Sequence, residues 1–267
     1  MWSPCGRVAT NHVSLSKTRT NYEDYLVRRH RPAHSRRNAD RWAAFLVPHL
    51  RTDMRVLDIG CGPGSITVGL PGRVIGVDVH PVPIPSSPVA AGDGAALPFT
   101  DSAFDAVYIN AVLQHVADAS AVLCEARRVV RSGAVIGVGD TDWGTRMMHP
   151  HDPLLDRSQE IQECARESGN VRVGRELRGL LAGAGFERIE LATEGRVVGS
   201  ELAVAQMAAF ERGWFEAPEV VAYVTEFGIS GAGEMAEIAA AWTRWSACPA
   251  ACAVDQWFTA IAWSPML

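Results

Sequence analysis

The chain has 267 residues, of which 48% are hydrophobic and 21% charged, and its formal net charge is −5. That length is enough for one large domain or a domain with a cap, and the composition is typical of a soluble globular enzyme. The negative charge gives no general attraction to nucleic acid or to anionic membranes, and no apolar run approaches the roughly 18 residues of a membrane span.

The first 35 residues are predicted to form a loose tail and a lid. Ser, Thr and Asn dominate up to residue 20, and this polar start lacks the apolar core of a signal peptide. A short helix is predicted over Tyr22–Arg29, a break over His30–Ser35, and a second helix from about Arg36 to Leu50. The Arg/His cluster Arg28–Arg37 is interpreted as a solvated face, because a nucleic-acid arm does not fit the acidic chain.

The stretch VLDIGCGPGS, residues 56–65, is predicted to be a buried strand followed by a tight turn and a helix start. Its three glycines, at every second position, let the backbone pass close beneath a nucleotide-like ligand. A dinucleotide fingerprint needs a glycine at position 65, where this chain has Ser65. The pattern therefore argues against NAD and FAD, and the absent Lys-Ser/Thr pair argues against a phosphate loop.

A second apolar, β-branched strand is predicted over Arg73–Asp78, and it ends on a carboxylate. A carboxylate at that strand end can accept bidentate hydrogen bonds from ribose hydroxyls. Three further motifs follow: GDGAALPF at 92–99, SAFDAVY at 102–108 and VLQHV at 112–116. Together, in this order and spacing, these motifs resemble the class I S-adenosylmethionine-dependent methyltransferases of the ubiquinone/menaquinone-biosynthesis-type (type 11) subgroup. The resemblance covers roughly residues 35 to 195.

The resemblance implies an α/β, Rossmann-like class I methyltransferase fold, with a mostly parallel seven-stranded sheet, helices on both faces and a helical cap. The alternation of strands and helices favours the same architecture. Residues 80–88 are too rich in proline for a helix and are predicted to be a loop. A helix is predicted over Ala119–Arg131. The remaining predicted strands are Val89–Gly92, Ala106–Asn110, Ala134–Val138, Phe186–Thr193 and Asp255–Trp263.

The chain is expected to leave the sheet at Gly139–Gly144, at the edge where ligands bind in open α/β sheets. Residues 147–170 are predicted to be a lid or insertion with a helix over Pro153–Ser168, and another helix follows over Arg175–Ala184. Helices are also predicted over Glu201–Phe215, Pro218–Phe227 and Gly231–Trp245. The predicted division is therefore a tail and lid (1–35), a Rossmann-like domain (36–200), a helical cap insertion (201–252) and the last core strand (253–267).

The resemblance also implies roles for individual residues toward S-adenosyl-L-methionine, whose product is S-adenosyl-L-homocysteine. Asp78 binds the ribose hydroxyls, with Val79 beside it, and Asp93 accepts from the adenine amino group, with Gly94 and Ala95 beside it. The methionine side is lined by Gly60, Gly62 and Gly64, and Asp58 orients the loop or the ammonium group. Asn110 and His115 follow the fourth strand, where the sulfonium faces its acceptor. The structural alternative for Asp78 is a cap at the strand end, and the alternative for Asp93 is a turn residue.

Three residues are candidates for a catalytic role: His115, His34 and Tyr25. For His34 and Tyr25, as for Tyr22 below, the resemblance alone implies a place in the pocket, because in that family the N-terminal region folds over it. Histidine is the side chain most often used for proton transfer near neutral pH, although His115 is equally explained as a helix residue bonded to the backbone. The acceptor-binding candidates are Tyr22, Tyr25, Trp143 and Trp214, whose rings can stack on planar or cationic molecules. Packing between cap helices is the alternative for these aromatic side chains.

No metal site is predicted, because the pair His149 and His151 has no further ligand in a suitable spacing. Six scattered cysteines are typical of reduced thiols in a cytoplasmic protein. The oligomeric state is not fixed by the sequence, and a homodimer is compatible with it.

The sequence thus favours a methyltransferase that acts on a small molecule, in particular an aromatic or heteroaromatic secondary metabolite. O-, N- and C-methylation all stay open, including C-methylation of an indole. The alternative is a cyclase or rearrangement enzyme of the same fold that binds the cofactor without transferring methyl. A nucleic-acid methyltransferase is disfavoured by the acidity and by the absence of an Asn/Asp-Pro-Pro-Tyr/Phe motif after the fourth strand.

Overall fold

The computed structural model describes residues 17–166 and 168–266. Within these residues, seven strands form one sheet in the order β3-β2-β1-β4-β5-β7-β6. The strands are β1 (Arg55–Ile59), β2 (Arg73–Asp78), β3 (Val89–Ala91), β4 (Phe104–Asn110), β5 (Val130–His149), β6 (Glu187–Val198) and β7 (Cys252–Trp263). Strands β1 to β5 pair in parallel with their neighbours. The predicted seven-stranded, mostly parallel α/β fold is confirmed.

Eight α-helices accompany the sheet in the described part of the chain. They are α1 (Lys17–His34), α2 (Ala39–Trp42), α3 (Ala119–Val129), α4 (Pro153–Cys164), α5 (Leu177–Gly183), α6 (Glu201–Glu216), α7 (Pro218–Glu226) and α8 (Ala232–Ser246). Several begin at side-chain caps: Asp118 accepts from the Ala121 amide at 3.0 Å before α3, and Ser200 accepts from the Ala203 amide at 3.2 Å before α6. Such caps satisfy amides that have no intrahelical partner.

The chain packs as two compact units. The sheet unit comprises residues 31–146, 168–196 and 255–266, and the helical unit comprises residues 17–30, 147–166 and 197–254. The predicted four-part division remains a proposal. Packing groups residues 147–166 with the cap helices and the first helix.

The sheet unit has an apolar core on each face of its central strands. On β1, Leu57 and Ile59 belong to one buried cluster and Val56 to the other, and all three side chains are at most 1% exposed. Alternation along a strand places successive side chains on opposite faces, so a strand covered on both sides must be apolar throughout. Asp58 is the exception among the buried residues of β1, and it lies at the functional edge described below.

The helical unit has its own aromatic core. The ring of Tyr22 on α1 stacks on Tyr223 of α7 with centroids 4.1 Å apart, and meets Trp214 of α6 edge to face at 6.4 Å. Trp242 of α8 is fully buried in the same cluster. Aromatic pairs at these separations add to the free energy gained by burial.

Three predictions near the amino terminus are wrong, and the first is the start of helix α1, which lies at Lys17 rather than at Tyr22. Helix α1 continues through the predicted break as far as His34, because contacts within the helical unit hold it: Tyr25 donates to the Gly213 carbonyl at 3.0 Å, and Arg28 pairs with Glu219 at 3.1 Å. The predicted helix over 36–50 is reduced to α2 and a 3₁₀ turn, Val47–His49. Pro48 lies in that turn and cannot donate a helical hydrogen bond.

Two further boundaries are wrong within the sheet unit. The helix expected after Gly64 is only a 3₁₀ turn, Thr67–Gly69, because Pro71 and Gly72 follow at once. Strand β5 does not leave the sheet at Gly139 but continues to His149. Its polar residues find partners there: Arg175 donates through Nη2 to the buried Asp142 carboxylate at 2.8 Å.

Candidate active site

A glycine turn, defined here as residues 60–64, connects β1 to the following 3₁₀ turn at the carboxyl end of the parallel strands. Gly60, Gly62 and Gly64 have φ values of +71°, +52° and +76°. L residues with a Cβ adopt this region at a cost of roughly 1–2 kcal/mol. The Gly60 amide donates to the Val77 carbonyl of β2 at 2.8 Å, so the turn is anchored to the neighbouring strand.

The three glycines differ in what surrounds them. A Cβ on Gly60 would lie 2.3 Å from Cγ2 of Val112, and a Cβ on Gly64 would lie 2.3 Å from Cδ1 of Ile84. A Cβ on Gly62 would meet nothing within 4 Å. The outer glycines therefore allow close packing of protein against protein, whereas Gly62 faces open space in which backbone can approach a ligand.

Asp78 ends β2 and is tied to the glycine turn. Its Oδ2 accepts from the Gly62 amide at 2.9 Å, and its Oδ1 accepts from the His80 amide at 2.9 Å. A carboxylate has about four acceptor positions, so two remain for the hydroxyls of a ligand. Beside it, the side chain of Val79 is 62% exposed at the cavity wall.

Asp93 follows β3 in a short turn. Its Oδ1 accepts from the Ala95 amide at 2.9 Å, and its backbone pairs with Ala96 in an isolated bridge. This is the turn role that the sequence left open, and it leaves Oδ2 available to a donor on a ligand. Gly94 is closely packed, because a Cβ there would lie 3.3 Å from Cγ2 of Ile59.

Asp58 lies at the buried inner side of the turn and is 3% exposed. Thr67 donates its hydroxyl to Oδ2 of Asp58 at 2.6 Å. Burial raises the pKa of the Asp58 carboxyl to about 7, although the Thr67 hydrogen bond acts in the opposite direction. The group is therefore poised to ionise near neutral pH when a cation approaches it.

These elements enclose a cavity of about 390 Å³ in the sheet unit. Every predicted cofactor-binding residue except Gly64 and Ala95 lines it. Those that do are Asp58, Gly60, Gly62, Asp78, Val79, Asp93, Gly94, Asn110 and His115. Gly64 packs against Ile84 instead, and Ala95 contributes an amide to Asp93.

The end of β4 and the segment that follows it form another part of the cavity wall. The Asn110 side chain is 7% exposed, and neither its Oδ1 nor its Nδ2 has a partner. His115 is exposed in a turn rather than in a helix, and its amide donates to the Val112 carbonyl at 2.9 Å. Asp140 caps this turn by accepting from the Gln114 amide at 3.2 Å, and burial raises its pKa to about 6.

Sequence reasoning missed several residues of the cavity wall. Tyr108 is fully buried, donates to the Trp42 carbonyl at 2.8 Å and has a pKa raised by burial. Arg37 also lines the cavity, with its guanidinium carbon 4.4 Å from the centre of the Trp42 ring. Arg37 belongs to the Arg/His cluster that was interpreted as a solvated face. The available signal was the pair of aromatic residues, Trp42 and Phe45, that follows Arg37 a few positions later.

The predicted acceptor-binding residues lie elsewhere. Tyr22 and Trp214 are buried in the core of the helical unit, at 5% and 4% exposure, and Tyr25 is bonded to Gly213 there. Trp143 is half-buried on β5 in the sheet unit, 5.9 Å from the Arg146 guanidinium carbon. The cavity wall includes none of the four. The side chain of His34 lies outside what the structure describes.

Among the described residues, no group of three or more His, Cys, Asp or Glu side chains is arranged to hold a metal ion. His151 instead approaches Asp156 at 3.6 Å. Within the same residues, no helix has the length and apolar character needed to cross a membrane.

Comparison with known proteins agrees with the geometry. Residues 57–138 match the sequence profile of a family described as "Methyltransferase domain". An uncharacterized methyltransferase of Schizosaccharomyces pombe is 30% identical over 173 residues, which are 55% of this chain and 61% of that protein. A 2-phytyl-1,4-naphtoquinone methyltransferase of Synechococcus elongatus is 28% identical over 191 residues, 57% of this chain and 77% of that protein.

A solved structure of a Haemonchus contortus phosphoethanolamine N-methyltransferase, in complex with S-adenosylhomocysteine, superposes with a TM-score of 0.54. The match covers 95% of this chain and 61% of that one at 17% identity, which shows the fold alone. The chain spans between 42% and 61% of the lengths of three of the curated relatives that it matches.

The fold and the glycine turn thus define a class I, Rossmann-like nucleotide-binding protein. The matched domain narrows this class: residues 57–138 match a methyltransferase domain, the relatives described above are named methyltransferases, and S-adenosylmethionine is the cofactor of that domain. The resemblance to S-adenosylmethionine-dependent methyltransferases that the sequence motifs indicate is confirmed.

Proposed function

We propose that this protein transfers a methyl group from S-adenosylmethionine to a small-molecule acceptor. The observation that supports this most directly is the cavity whose floor is open above Gly62 and whose rim carries the Asp78 and Asp93 carboxylates. A bound adenosine needs a flat backbone surface and acceptors for ribose hydroxyls and an amino group. These residues offer all three within one unit.

Each of these residues suits a different chemical group of the cofactor. Asp78 holds the ribose hydroxyls, Asp93 accepts from the adenine amino group through Oδ2, and the exposed side chain of Val79 covers an apolar face of the base. Asp58 orients the glycine turn through Thr67 and pairs with the ammonium group of the methionine moiety. The pairing is favourable because a nearby cation favours the ionised carboxyl, which burial alone opposes.

The cofactor supplies a methyl carbon that is activated by a positive sulfur. The chain's own contribution is alignment and exclusion of water, and alignment alone can be worth roughly 7 to 11 kcal/mol. His115 lies in the cavity wall where it can accept a proton from an acceptor that must lose one early. Carbon acceptors that lose their proton late need less help from such a base.

The acceptor that we propose is aromatic or heteroaromatic and belongs to secondary metabolism. The naphthoquinone named for one relative is a planar ring system of this kind. In this chain the rings of Trp42 and Trp257 meet edge to face, 5.0 Å apart, beside Arg37 of the cavity wall. The five cysteines of the described residues are free thiols, which fits the reducing cytoplasm that we propose as the compartment.

The test is calorimetric titration of the full chain with S-adenosylhomocysteine. We expect micromolar binding that Asp78→Ala weakens at least tenfold, because a charged hydrogen bond is worth about 1.5–3 kcal/mol. Asp53→Ala is the matched control, since Asp53 is an exposed carboxylate of the same unit that pairs with Arg51 and does not line the cavity. Equal affinity for the Asp78 variant and the control would overturn the assigned site.

A second measurement separates transfer from the cyclase alternative. The protein is incubated with methyl-labelled S-adenosylmethionine and a panel of phenols, indoles and amines, and the products are analysed by mass spectrometry. A labelled product supports methyl transfer. A rearranged product that carries no label, formed only when the cofactor is present, would overturn it.

A further inference from the structure

A cluster of two arginines and two tryptophans lies beside the cavity, all within the sheet unit. The arginine–tryptophan cluster is defined here as Arg37, Trp42, Arg196 and Trp257. Both guanidinium carbons lie within 5 Å of the centre of the Trp42 ring, Arg37 at 4.4 Å and Arg196 at 4.9 Å. Arg196 is also 5.4 Å from the centre of the Trp257 ring.

The two guanidinium groups have no anionic partner among the residues that the structure describes. Neither forms an ion pair or a hydrogen bond there, and their contacts are with aromatic rings. Burial, with the charge of Arg196 acting in the same direction, lowers the pKa of Arg37 to about 10. Burial likewise lowers the pKa of Arg196. Two adjacent, partly buried cations without a counterion are costly unless something else compensates them.

Two of the three carboxylates that act on the cluster are already engaged. Asp255, which acts electrostatically on Arg196, pairs with Arg146 at 2.9 Å. Asp140, which acts on Arg37, accepts backbone amides from Gln114 and Thr141. Glu194 also acts on Arg196, so these carboxylates offset part of the positive charge, but none of the three forms an ion pair with either guanidinium group.

Unpartnered hydrogen-bonding groups converge on the same place. Trp257 is 6% exposed and its Nε1 has no acceptor, and both polar atoms of the buried Asn110 side chain are unpartnered as well. The position that a Cβ would take on Gly139 is 2.8 Å from Oδ1 of Asn110 and 3.1 Å from Nε1 of Trp257. Buried polar atoms without partners are uncommon in folded proteins and call for a ligand or an ordered water.

We propose that the arginine–tryptophan cluster, together with Asn110, is the subsite for a carboxylate carried by the methyl acceptor. Arg37 and Asn110 belong to the cavity wall, so a carboxylate held there leaves the rest of the acceptor beside the cofactor. The planar guanidinium matches a carboxylate with two parallel hydrogen bonds, and the tryptophan rings give an apolar surface to the acceptor's ring. A monoanion fits the local charge better than a dianionic phosphate. The inference rests on the proposed function.

The experiment compares matched charged and neutral probes on the full chain saturated with S-adenosylhomocysteine. The probes are salicylate and salicylamide, indole-3-acetate and indole-3-acetamide, and phenyl phosphate, and binding is measured by calorimetry. We expect each carboxylate to bind at least about tenfold more tightly than its amide, as charge-assisted hydrogen bonds imply. Arg196→Gln and Arg37→Gln remove this preference, and Arg37→Lys restores part of it.

Arg188→Gln is the matched control, because Arg188 also lies over a tryptophan, 4.6 Å from the centre of Trp263, on the same strand as Arg196. The control variant is expected to keep the full preference for carboxylates. No preference in the wild-type protein, or tighter binding of phenyl phosphate than of salicylate, would overturn the carboxylate subsite.

The cofactor carries a carboxylate of its own. A further titration therefore tests whether the cluster binds the carboxylate of the acceptor or that of the cofactor. S-adenosylhomocysteine and 5′-methylthioadenosine, which lacks that carboxylate, are titrated into the wild type and both glutamine variants. The quantity compared is the ratio of the affinities for S-adenosylhomocysteine and 5′-methylthioadenosine. If this ratio is the same in the variants as in the wild type, the cluster is assigned to the acceptor. If it falls to about one in Arg37→Gln, this arginine binds the cofactor instead. Failure of the wild type to bind either nucleoside would overturn the proposed function itself, whatever the carboxylate probes show.

Discussion

The glycine turn and the arginine–tryptophan cluster serve the same cavity but are built in different ways. The turn is one contiguous stretch, and its positive φ values and missing side chains are what suit it to the cofactor that we propose there. The cluster is assembled from three separate stretches of the chain, around Arg37 and Trp42, at Arg196 and at Trp257, and its side chains supply all the chemistry. A backbone site is fixed for one ligand by geometry, whereas a side-chain site can change by single substitutions. The difference supports our proposals, which assign the cofactor to the turn and the acceptor to the cluster.

The largest effect is expected for Gly60→Ala. The new methyl would lie 2.3 Å from Val112 Cγ2 at a φ of +71°, so strain and overpacking together cost about 3 kcal/mol of unfolding free energy. Displacement of the turn should weaken S-adenosylhomocysteine binding by about a hundredfold, as measured by urea unfolding and calorimetry. Gly179→Ala is the control, because a Cβ there meets nothing within 4 Å. Stability of Gly60→Ala equal to that control would refute the prediction.

Gly62→Ala should lose binding with a smaller loss of stability. Nothing lies within 4 Å of the new methyl, so only the cost of the φ of +52° remains, about 1–2 kcal/mol. The methyl occupies space assigned to the cofactor, and we expect at least tenfold weaker binding. Gly228→Ala has the same kind of backbone strain, φ +65° with open surroundings, in the helical unit. If both variants bind S-adenosylhomocysteine equally well, the turn does not face the cofactor.

The next largest effect is expected in the pH dependence of S-adenosylhomocysteine binding. The pKa of Asp58 is about 7 in the unliganded protein, and the ammonium group of the cofactor favours the ionised carboxyl. Affinity for S-adenosylhomocysteine should therefore fall by about tenfold between pH 8 and pH 6, with uptake of a proton by the free protein. Asp58→Asn should flatten this profile. A profile that is equally steep in the variant would exclude Asp58 as its source.

Ionisation of the Asp58 carboxyl lowers the free energy of unfolding, whereas it raises the affinity for the cofactor. Its folded-state pKa is raised above the unfolded value of about 4, so the unfolded state loses its proton first as the pH rises. Stability contributed by the protonated carboxyl is present below about pH 4 and is lost as the pH rises through about 7. The cofactor should reduce this loss, because it binds the folded, ionised form.

Asn110→Leu should have the smallest effect and stabilise the protein. Both polar atoms of Asn110 are buried without partners, and replacing them by an apolar group of similar size should raise the unfolding free energy by about 1 kcal/mol. Binding of salicylate to the S-adenosylhomocysteine complex should weaken. If the nucleoside itself binds more weakly instead, Asn110 belongs with the glycine turn, as the family resemblance implies.

The elements visible in the sequence are those with local causes. Strands β1 and β2 were predicted with the residues observed, because continuous apolar runs and a terminal carboxylate define them. The cap helices α6, α7 and α8 agree to within a residue or two, since capping residues and apolar periodicity are local signals. The predicted end of the helix at Ala184 agrees with α5 to within a residue, because Gly185 follows it with a φ of +84°.

The elements that sequence reasoning missed depend on distant partners. Strand β5 runs past Gly139 because Asp142 meets Arg175, some thirty residues away in the chain. Tyr22 and Trp214 were predicted to bind an acceptor. In the structure their rings pack against other aromatic rings inside the helical unit. Arg37 and Arg196 carry no local pattern that brings them together. Only the pairing of distant strands places Arg196 and Trp257 near Trp42.

The chain crosses between its two units repeatedly: α1, β5, β6 and β7 each begin in one unit and end in the other. The helical unit is therefore built from separate segments of the chain and is not one contiguous insertion. Exchanging it with that of a relative would require cutting the chain at every crossing. A graft of residues 201–252 alone would leave Tyr22 behind, and with it the ring that Tyr223 stacks upon. Divergence of specificity in such an architecture proceeds more easily by point substitution than by recombination.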